Sequence, residues 1–347
     1  MSKEITIRRP DDWHIHLRDG EILNQVAPLS AAQFARAIVM PNLVPPVTTA
    51  QSARSYRERI LAACSGTHFS PLMTAYLTDQ TDPQDLTEGF RQGVLTAAKL
   101  YPAGATTNSD LGVTSIEKIF PVLTVMAEVG MPLLVHGEVV GADYDIFDRE
   151  KIFIDEILSG VREQFPDLKI VLEHITTKQG ADFVKSFRLN TAATITPHHL
   201  MINRSTMFQG GIRPHLYCLP IAKRREHQLA LRAAATSGDQ RFFLGTDSAP
   251  HSEQAKQSAC GCAGVFNAHT AMSCYTQVFD EESALPYLEA FCSLNGPAFY
   301  GLAVNTDTIT LRKESLPIAT PAPLGEYNIH HFLPDTPVFW RVVNPSS

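Results

Sequence analysis

Eight times along the chain, a short run dominated by aliphatic, aromatic and β-branched residues gives way to a polar break and then to a helical stretch. The runs occupy 11–18 (DDWHIHLR), 36–42 (RAIVMPN), 70–78 (SPLMTAYLT), 96–102 (TAAKLYP), 132–138 (PLLVHGE), 169–175 (KIVLEHI), 189–199 (LNTAATITPHH) and 241–248 (RFFLGTDS). Amphipathic stretches lie between them, among them Ser52 to Ala63, 148–165 and 223–238. Another follows Thr114-Ser115-Ile116-Glu117, which has the spacing of a capping box, and stops near Gly130. Strands alternating with helices imply βαβ units on a parallel sheet, and eight such units predict a (β/α)8 barrel. A doubly wound open sheet would alternate in the same way, but no Gly-x-Gly-x-x-Gly follows a strand. The expectation is a single domain over 1–347. Its core spans about 7–305, with Ala268 to Tyr300 mostly helical. A proline-rich extension, about 306–347, is expected to lie on the barrel surface.

Composition limits what such a chain does. With 347 residues, 44% of them hydrophobic, there is enough apolar surface for a large core, and single α/β barrels reach this size. A net charge of −7 argues against nucleic acid or an anionic membrane as the main partner. It leaves room for an anionic small molecule held by a few local cations. The start, MSKEITIRRP, lacks the apolar core of a secretion signal, and no apolar run approaches membrane-spanning length. Six cysteines are too few for a disulfide scaffold in a chain this long. A reduced, cytoplasmic protein is expected. Cys260-Gly-Cys262 has no second close pair and reads as loop thiols; the other cysteines read as core thiols.

Functional groups of a parallel barrel gather at the C-terminal ends of its strands. The runs end in His14, His16 and Arg18, then Asn42, Lys99, His136, His174 and Asp247. Strand alternation places Asp12, His14, His16 and Arg18 on one face, with Trp13, Ile15 and Leu17 on the other, toward the helices. Two imidazoles one residue apart can chelate one ion. Taken singly, each histidine reads as a hydrogen-bonded core residue and Asp247 as a cap or salt-bridge partner. Four histidines and an aspartate on four strand ends together form a ligand set for zinc or a similar divalent ion. Lys99 fits this set only in a changed form. Its neutral amine can react with carbon dioxide to give an anionic carbamate, N6-carboxylysine, able to bridge two metals. The plainer alternative is a lysine paired with Asp12 or another carboxylate.

These residues, with the segments RRPDDWHIHLRDG, AIVMPNLVPPVTT, AAKLYPAGATTNS, MPLLVHGE, EHITTK, ATITPHHLM, RPHLYCLP, GTDSAPH, CGCAGVFNA and FCSLNGPAFYGL, give the chain a family resemblance. It resembles the amidohydrolase superfamily and, within it, the short bacterial dihydroorotases, from about residue 7 to 305. The late start of the first ligand, at residue 14, leaves little room for the N-terminal half of the β-sandwich found in many superfamily members. One departure is visible: His198 precedes His199 where relatives often carry Gln. It reads as a spectator imidazole near the mouth.

The resemblance implies roles position by position. His14, His16, carbamylated Lys99 and Asp247 would hold the more buried of two zinc ions. Lys99, His136 and His174 would hold the other. Arg18, Asn42 and His251 would bind the substrate carboxylate, with His16 and His136 also at the substrate. Leu219 and Ala263 would contact it through backbone groups, and Thr106 and Thr107 would belong to a mobile loop over the site. The implied reaction is reversible cyclisation of N-carbamoyl-L-aspartate to L-dihydroorotate in pyrimidine synthesis. In the hydrolytic direction a bridging hydroxide would attack the ring amide carbonyl, with Asp247 as general base and acid. A homodimer is also implied. The alternatives are another cyclic-amide hydrolase, such as a hydantoinase or allantoinase, and a catalytically inactive barrel scaffold.

Overall fold

The structure, a computed structural model, describes residues 3–343; residues 1, 2 and 344–347 of the expected single domain lie outside the described residues. β1 (Glu4–Arg8) precedes an eight-stranded parallel sheet. Its strands, in order, are β2 (Asp12–Ile15), β3 (Arg36–Val39), β4 (Ser70–Tyr76), β5 (Ala97–Leu100), β6 (Leu133–Val135), β7 (Ile170–Leu172), β8 (Thr191–Ile195) and β9 (Phe242–Leu244). Each pairs with the next in sequence. The chain leaving β9 returns to β2: Asp247 N donates to His14 O at 2.8 Å, His16 N donates to Ser248 O at 3.0 Å, and Ile15 bridges Ser248. The expected (β/α)8 barrel is therefore present, with each of the eight runs contributing one strand.

Alternation along these strands sorts floor from mouth. Ile38, Ala97, Leu134, Val171, Ala192 and Phe243 form one buried apolar cluster across six strands. Two positions further along four of them stand Lys99, His136, Glu173 and Thr194, all buried. Side chains two apart on a strand share a face, so the apolar floor carries a polar layer directly above it. Trp13 belongs to the floor, not to the helix-facing side expected for it. It stacks on Tyr300 with centroids 4.5 Å apart and meets Phe243 edge-on. The pairing of β2 with β3 shifts register between Asp12 and Ile15. Such a bulge breaks strict alternation and brings two successive residues toward one side. Ile15 and Leu17 do face the main core as expected.

Helix boundaries follow local chemistry. Helix Ala50–Ala63 starts on a capping box of Thr49 and Ser52. The box expected at Thr114–Glu117 does not form: Thr114 instead bonds Asp79 through both N and Oγ1, at 2.9 and 2.6 Å. A 3-10 turn, Ile116–Ile119, leads into helix Phe120–Val129, which ends on Gly130 at φ +73° as expected. The seventh run stops being a strand at Ile195. Thr196 caps a short helix, Pro197–Met201, through the amide of His199, so His198 and His199 are helical.

The extension is more ordered than its proline content suggests. β10 (Thr308–Lys313) pairs antiparallel with β1 and with β11 (Trp340–Val343), giving a three-stranded sheet beside the barrel. No helix among the described residues is long and apolar enough to cross a membrane.

Candidate metal centre and substrate pocket

The barrel mouth holds a pocket lined by His14, His16, Arg18, Asn42, Tyr101, Thr106, Thr107, His136, His174, Leu219, Asp247 and Ala263, with Ala249 and Gly264. Of the expected site residues, Lys99 lies beneath this lining, fully buried, and His251 lies beside it against Arg18.

Backbone conformation aims several of these side chains. Arg18, His174 and Asp247 have positive φ, at 58°, 39° and 43°. Such geometry costs about 1–3 kcal/mol per residue and persists only where surrounding structure enforces it. For His174 its effect is plain. Alternation points Glu173 into the barrel, and the turn at residue 174 brings the next side chain in as well. Close packing adds a further constraint, because a Cβ on Gly245 would lie 2.7 Å from Cβ of Thr194.

The hydrogen bonds fix which ring nitrogens are free. His14 Nδ1 lies 2.7 Å from Glu173 Oε2, a carboxylate oxygen that also accepts from Thr194 Oγ1 at 2.6 Å. His16 Nδ1 lies 2.8 Å from Asn42 Oδ1, whose amide nitrogen donates to Thr107 O at 3.0 Å. Both Nδ1 atoms therefore carry the proton, and both Nε2 atoms present lone pairs. Those lone pairs converge on one acceptor. Asp247 Oδ1 lies 3.5 Å from His14 Nε2 and 3.1 Å from His16 Nε2. Three electron-rich atoms facing each other in this way form a donor set suited to one cation. Burial and the neighbouring Lys99 ammonium hold the His14 imidazole well below its usual range, in the neutral form a metal ion needs.

Around the same axis the rings continue from His14 to His174, 4.8 Å between centroids, and from His174 to His136, 4.9 Å. His136 Nε2 is engaged with Glu138 Oε2 at 2.9 Å, leaving Nδ1 free. His174 Nδ1 is buried with no partner. So is Lys99 Nζ, which rules out the expected alternative of an ion pair with Asp12. Burial lowers the Lys99 ammonium to about 8, so the neutral fraction near neutral pH is far larger than that of an exposed lysine. Asp12 serves elsewhere. Its carboxylate accepts from the amides of His14 and Thr246 and from Thr246 Oγ1, binding β2 to the segment after β9.

At the rim, Arg18 Nε donates to Pro250 O at 3.0 Å, and Nη2 lies 2.9 Å from His251 Nε2. That same nitrogen lies 2.9 Å from Ala263 O. It can accept from Arg18 or donate to Ala263, but one tautomer cannot do both. The Thr106–Thr107 segment rests against this rim, with Thr107 Oγ1 donating to Ala263 O at 3.3 Å and Asn108 Nδ2 donating to Asn42 O at 3.0 Å.

Glu173 and Glu138, which orient two of the histidines, were not expected from the sequence. Their signal was present in their adjacency to ring-bearing positions, Glu-His and His-Gly-Glu. His198 stands apart from the pocket, its Nδ1 beside Asn267 Nδ2 at 3.2 Å. His199 is occupied at both nitrogens, by Thr196 Oγ1 and Pro220 O, so the buried His198–His199–Cys218 group offers no free ring at His199. All six cysteines are free thiols, with Cys260 exposed beside the pocket segment.

Comparison with known proteins agrees with this geometry. The sequence profile of the amidohydrolase family matches residues 11–314. A dihydroorotase of Sinorhizobium medicae is 57% identical over 98% of this chain and 99% of its own, so the similarity runs on into the extension. A Campylobacter jejuni dihydroorotase structure superposes with a TM-score of 0.89 at 37% identity, covering 99% of this chain and 98% of its own. A Saccharomyces cerevisiae dihydroorotase, solved with 5-fluoroorotic acid, superposes equally well at 31% identity, covering 98% of both chains. With the amidohydrolase profile covering most of the chain and relatives this similar along its whole length, the chain belongs to the amidohydrolase family and, within it, to the dihydroorotases, enzymes that hydrolyse a cyclic amide.

Proposed function

We propose that the chain interconverts L-dihydroorotate and N-carbamoyl-L-aspartate, a step of pyrimidine synthesis, at a centre of two zinc ions bridged by carbamylated Lys99. The convergence of His14 Nε2, His16 Nε2 and Asp247 Oδ1 carries this reading. His14, His16, Asp247 and the Lys99 carbamate would hold one ion; the carbamate with His136 and His174 would hold the other. The unpartnered Lys99 and His174 nitrogens fit that second group. Bound there, the ions supply an acidified water and the positive charge that polarises a carbonyl.

The remaining work falls to the chain. In ring opening, an O–C bond forms at the ring carbonyl and the amide C–N bond breaks. Asp247 takes the proton from the attacking water and delivers it to the departing nitrogen. In ring closure it starts protonated and the transfers reverse. Glu173 and Asn42 keep the His14 and His16 rings from turning. Arg18, Asn42 and His251 bind the substrate carboxylate, supported by the competition at His251 Nε2. A carboxylate placed between the two side chains accepts from both and ends that competition. The yeast relative's complex with 5-fluoroorotic acid, a pyrimidine bearing a carboxylate, is consistent with such a ligand. Backbone groups of Leu219 and Ala263 orient the ring, and the Thr106–Thr107 loop covers it.

The direct test is ring opening of L-dihydroorotate by zinc-loaded protein beside a chelator-stripped control. Turnover that vanishes with the metal is expected. A protein holding two zincs but inert toward L-dihydroorotate would move the assignment to another cyclic amide; one holding none would be a scaffold. The carboxylate contacts have their own test in Arg18→Met. KM for L-dihydroorotate should rise about 10- to 100-fold, matching a charged hydrogen bond of roughly 1.5–3 kcal/mol, with a smaller change in kcat. An unchanged KM would remove Arg18 from the substrate site.

A further inference from the structure

A second histidine cluster lies outside the barrel centre, where three segments distant in sequence meet. His215 comes from the turn Pro214–Leu216, Glu253 from the short helix Glu253–Lys256, and His330 from the C-terminal extension. Each offers one donor atom, and the three lie within 4.8 Å of one another. His330 Nε2 is 3.0 Å from Glu253 Oε1. The His215 ring stacks on that of His330 with centroids 4.0 Å apart. Gln257 Nε2 donates to His215 Nε2 at 3.0 Å, so that ring nitrogen is unprotonated, and the exposed Gln257 side chain must turn away for its lone pair to meet an ion. The extension is held here by its backbone too, since Glu253 N donates to Tyr327 O at 3.0 Å.

Two imidazoles and a carboxylate suit zinc, nickel or copper far better than calcium or magnesium, which favour all-oxygen shells. Tetrahedral coordination at ordinary bond lengths needs donors roughly 3.3 Å apart. Side chains that are 33% exposed at His330 and 39% at Glu253 can turn to reach that spacing, and an ion can reach them from solvent. The cluster adjoins the substrate rim: His215 and His330 line a small cavity with His251 and Lys256. Lys256 Nζ in turn donates to the carbonyls of Tyr217, Cys262 and Gly264, tying the cluster's helix to the segments on both sides of the pocket.

We propose that His215, Glu253 and His330 form a rim site for one divalent transition ion, distinct from the barrel centre, which fastens the C-terminal extension to the wall behind His251. The site stands on its own donor geometry and does not depend on the reaction assigned to the barrel.

The test uses the metal-loaded enzyme dialysed against Zn2+, with bound metal counted per chain. One equivalent above the barrel complement is expected in the unmodified protein. In His330→Gln, and separately in His215→Gln, that equivalent should weaken at least tenfold. Ring-opening activity measured without added zinc should stay unchanged in both. Because neither ring is buried in the core, two independent variants guard against loss by misfolding. Cu2+ bound at the extra site should show two nitrogen couplings in its electron paramagnetic resonance spectrum, and one in either variant. Absence of an extra equivalent in the unmodified protein would overturn the proposal. So would an extra equivalent that survives both substitutions, which would place the ion on Cys260 and Cys262 or another surface group.

Discussion

Lys99→Ala and Lys99→Met should both lose bound zinc and cut ring-opening turnover by about three orders of magnitude, the several kcal/mol of metal assistance expressed at 1.36 kcal/mol per decade. The two substitutions separate chemistry from packing. Alanine leaves a cavity under the site, whereas methionine fills much of the lysine's volume with a flexible apolar chain. Lys99 is fully buried and its amine has no hydrogen-bond partner. An unpaired buried polar group costs folding energy. Metal-free Lys99→Met should therefore melt no lower than metal-free unmodified protein, while remaining inactive. Lys99→Arg completes the set. Arginine preserves a positive charge but cannot form a carbamate, so it should fail like alanine. If Lys99→Arg kept its zinc and its turnover, the residue would act as a cation and the carbamate would be wrong. Metal analysis, melting curves and one spectrophotometric assay provide all three readings.

The same lysine shows how much of the site is legible in sequence. Its position at the end of an apolar run, followed three residues later by Pro102, marks a strand end, and β5 ends at Leu100. The strand-end histidines and Asp247 were legible for the same reason, since a parallel barrel puts its functional groups there. What alternation could not deliver were departures from a regular strand. Trp13 reads as helix-facing until the register shift in β2 is seen. His174 was legible as a strand-end residue, but alternation alone, with Glu173 pointing in, does not account for its inward aim, which a backbone at φ 39° supplies. Thr114 has the form of a cap, but Asp79, 35 residues earlier, competes for its donors. The sheet joining β1, β10 and β11 pairs the two ends of the chain. Such pairing is set by tertiary contact, which no local window contains. Orienting residues such as Glu173 escaped for another reason: a carboxylate that positions an imidazole has no spacing rule of its own.

Asp247→Asn should lower kcat about 100- to 10,000-fold, the range set by loss of a positioned general base, while KM for L-dihydroorotate changes little. Asparagine isolates the charge well here. Asp247 has a left-handed backbone at φ 43°, a conformation asparagine tolerates as readily as aspartate, so the substitution adds no backbone strain. An amide oxygen can still accept near His14 and His16, yet it cannot take a proton from water and return it to nitrogen. His14 and His16 remain fixed by Glu173 and Asn42, so the ring nitrogens stay aimed and much of the zinc should be retained. That pairing of outcomes is the discriminating result. A fall in kcat with metal still bound assigns proton transfer to Asp247. A fall that merely tracks lost zinc would reduce the residue to a ligand, and another group at the mouth would have to carry the proton.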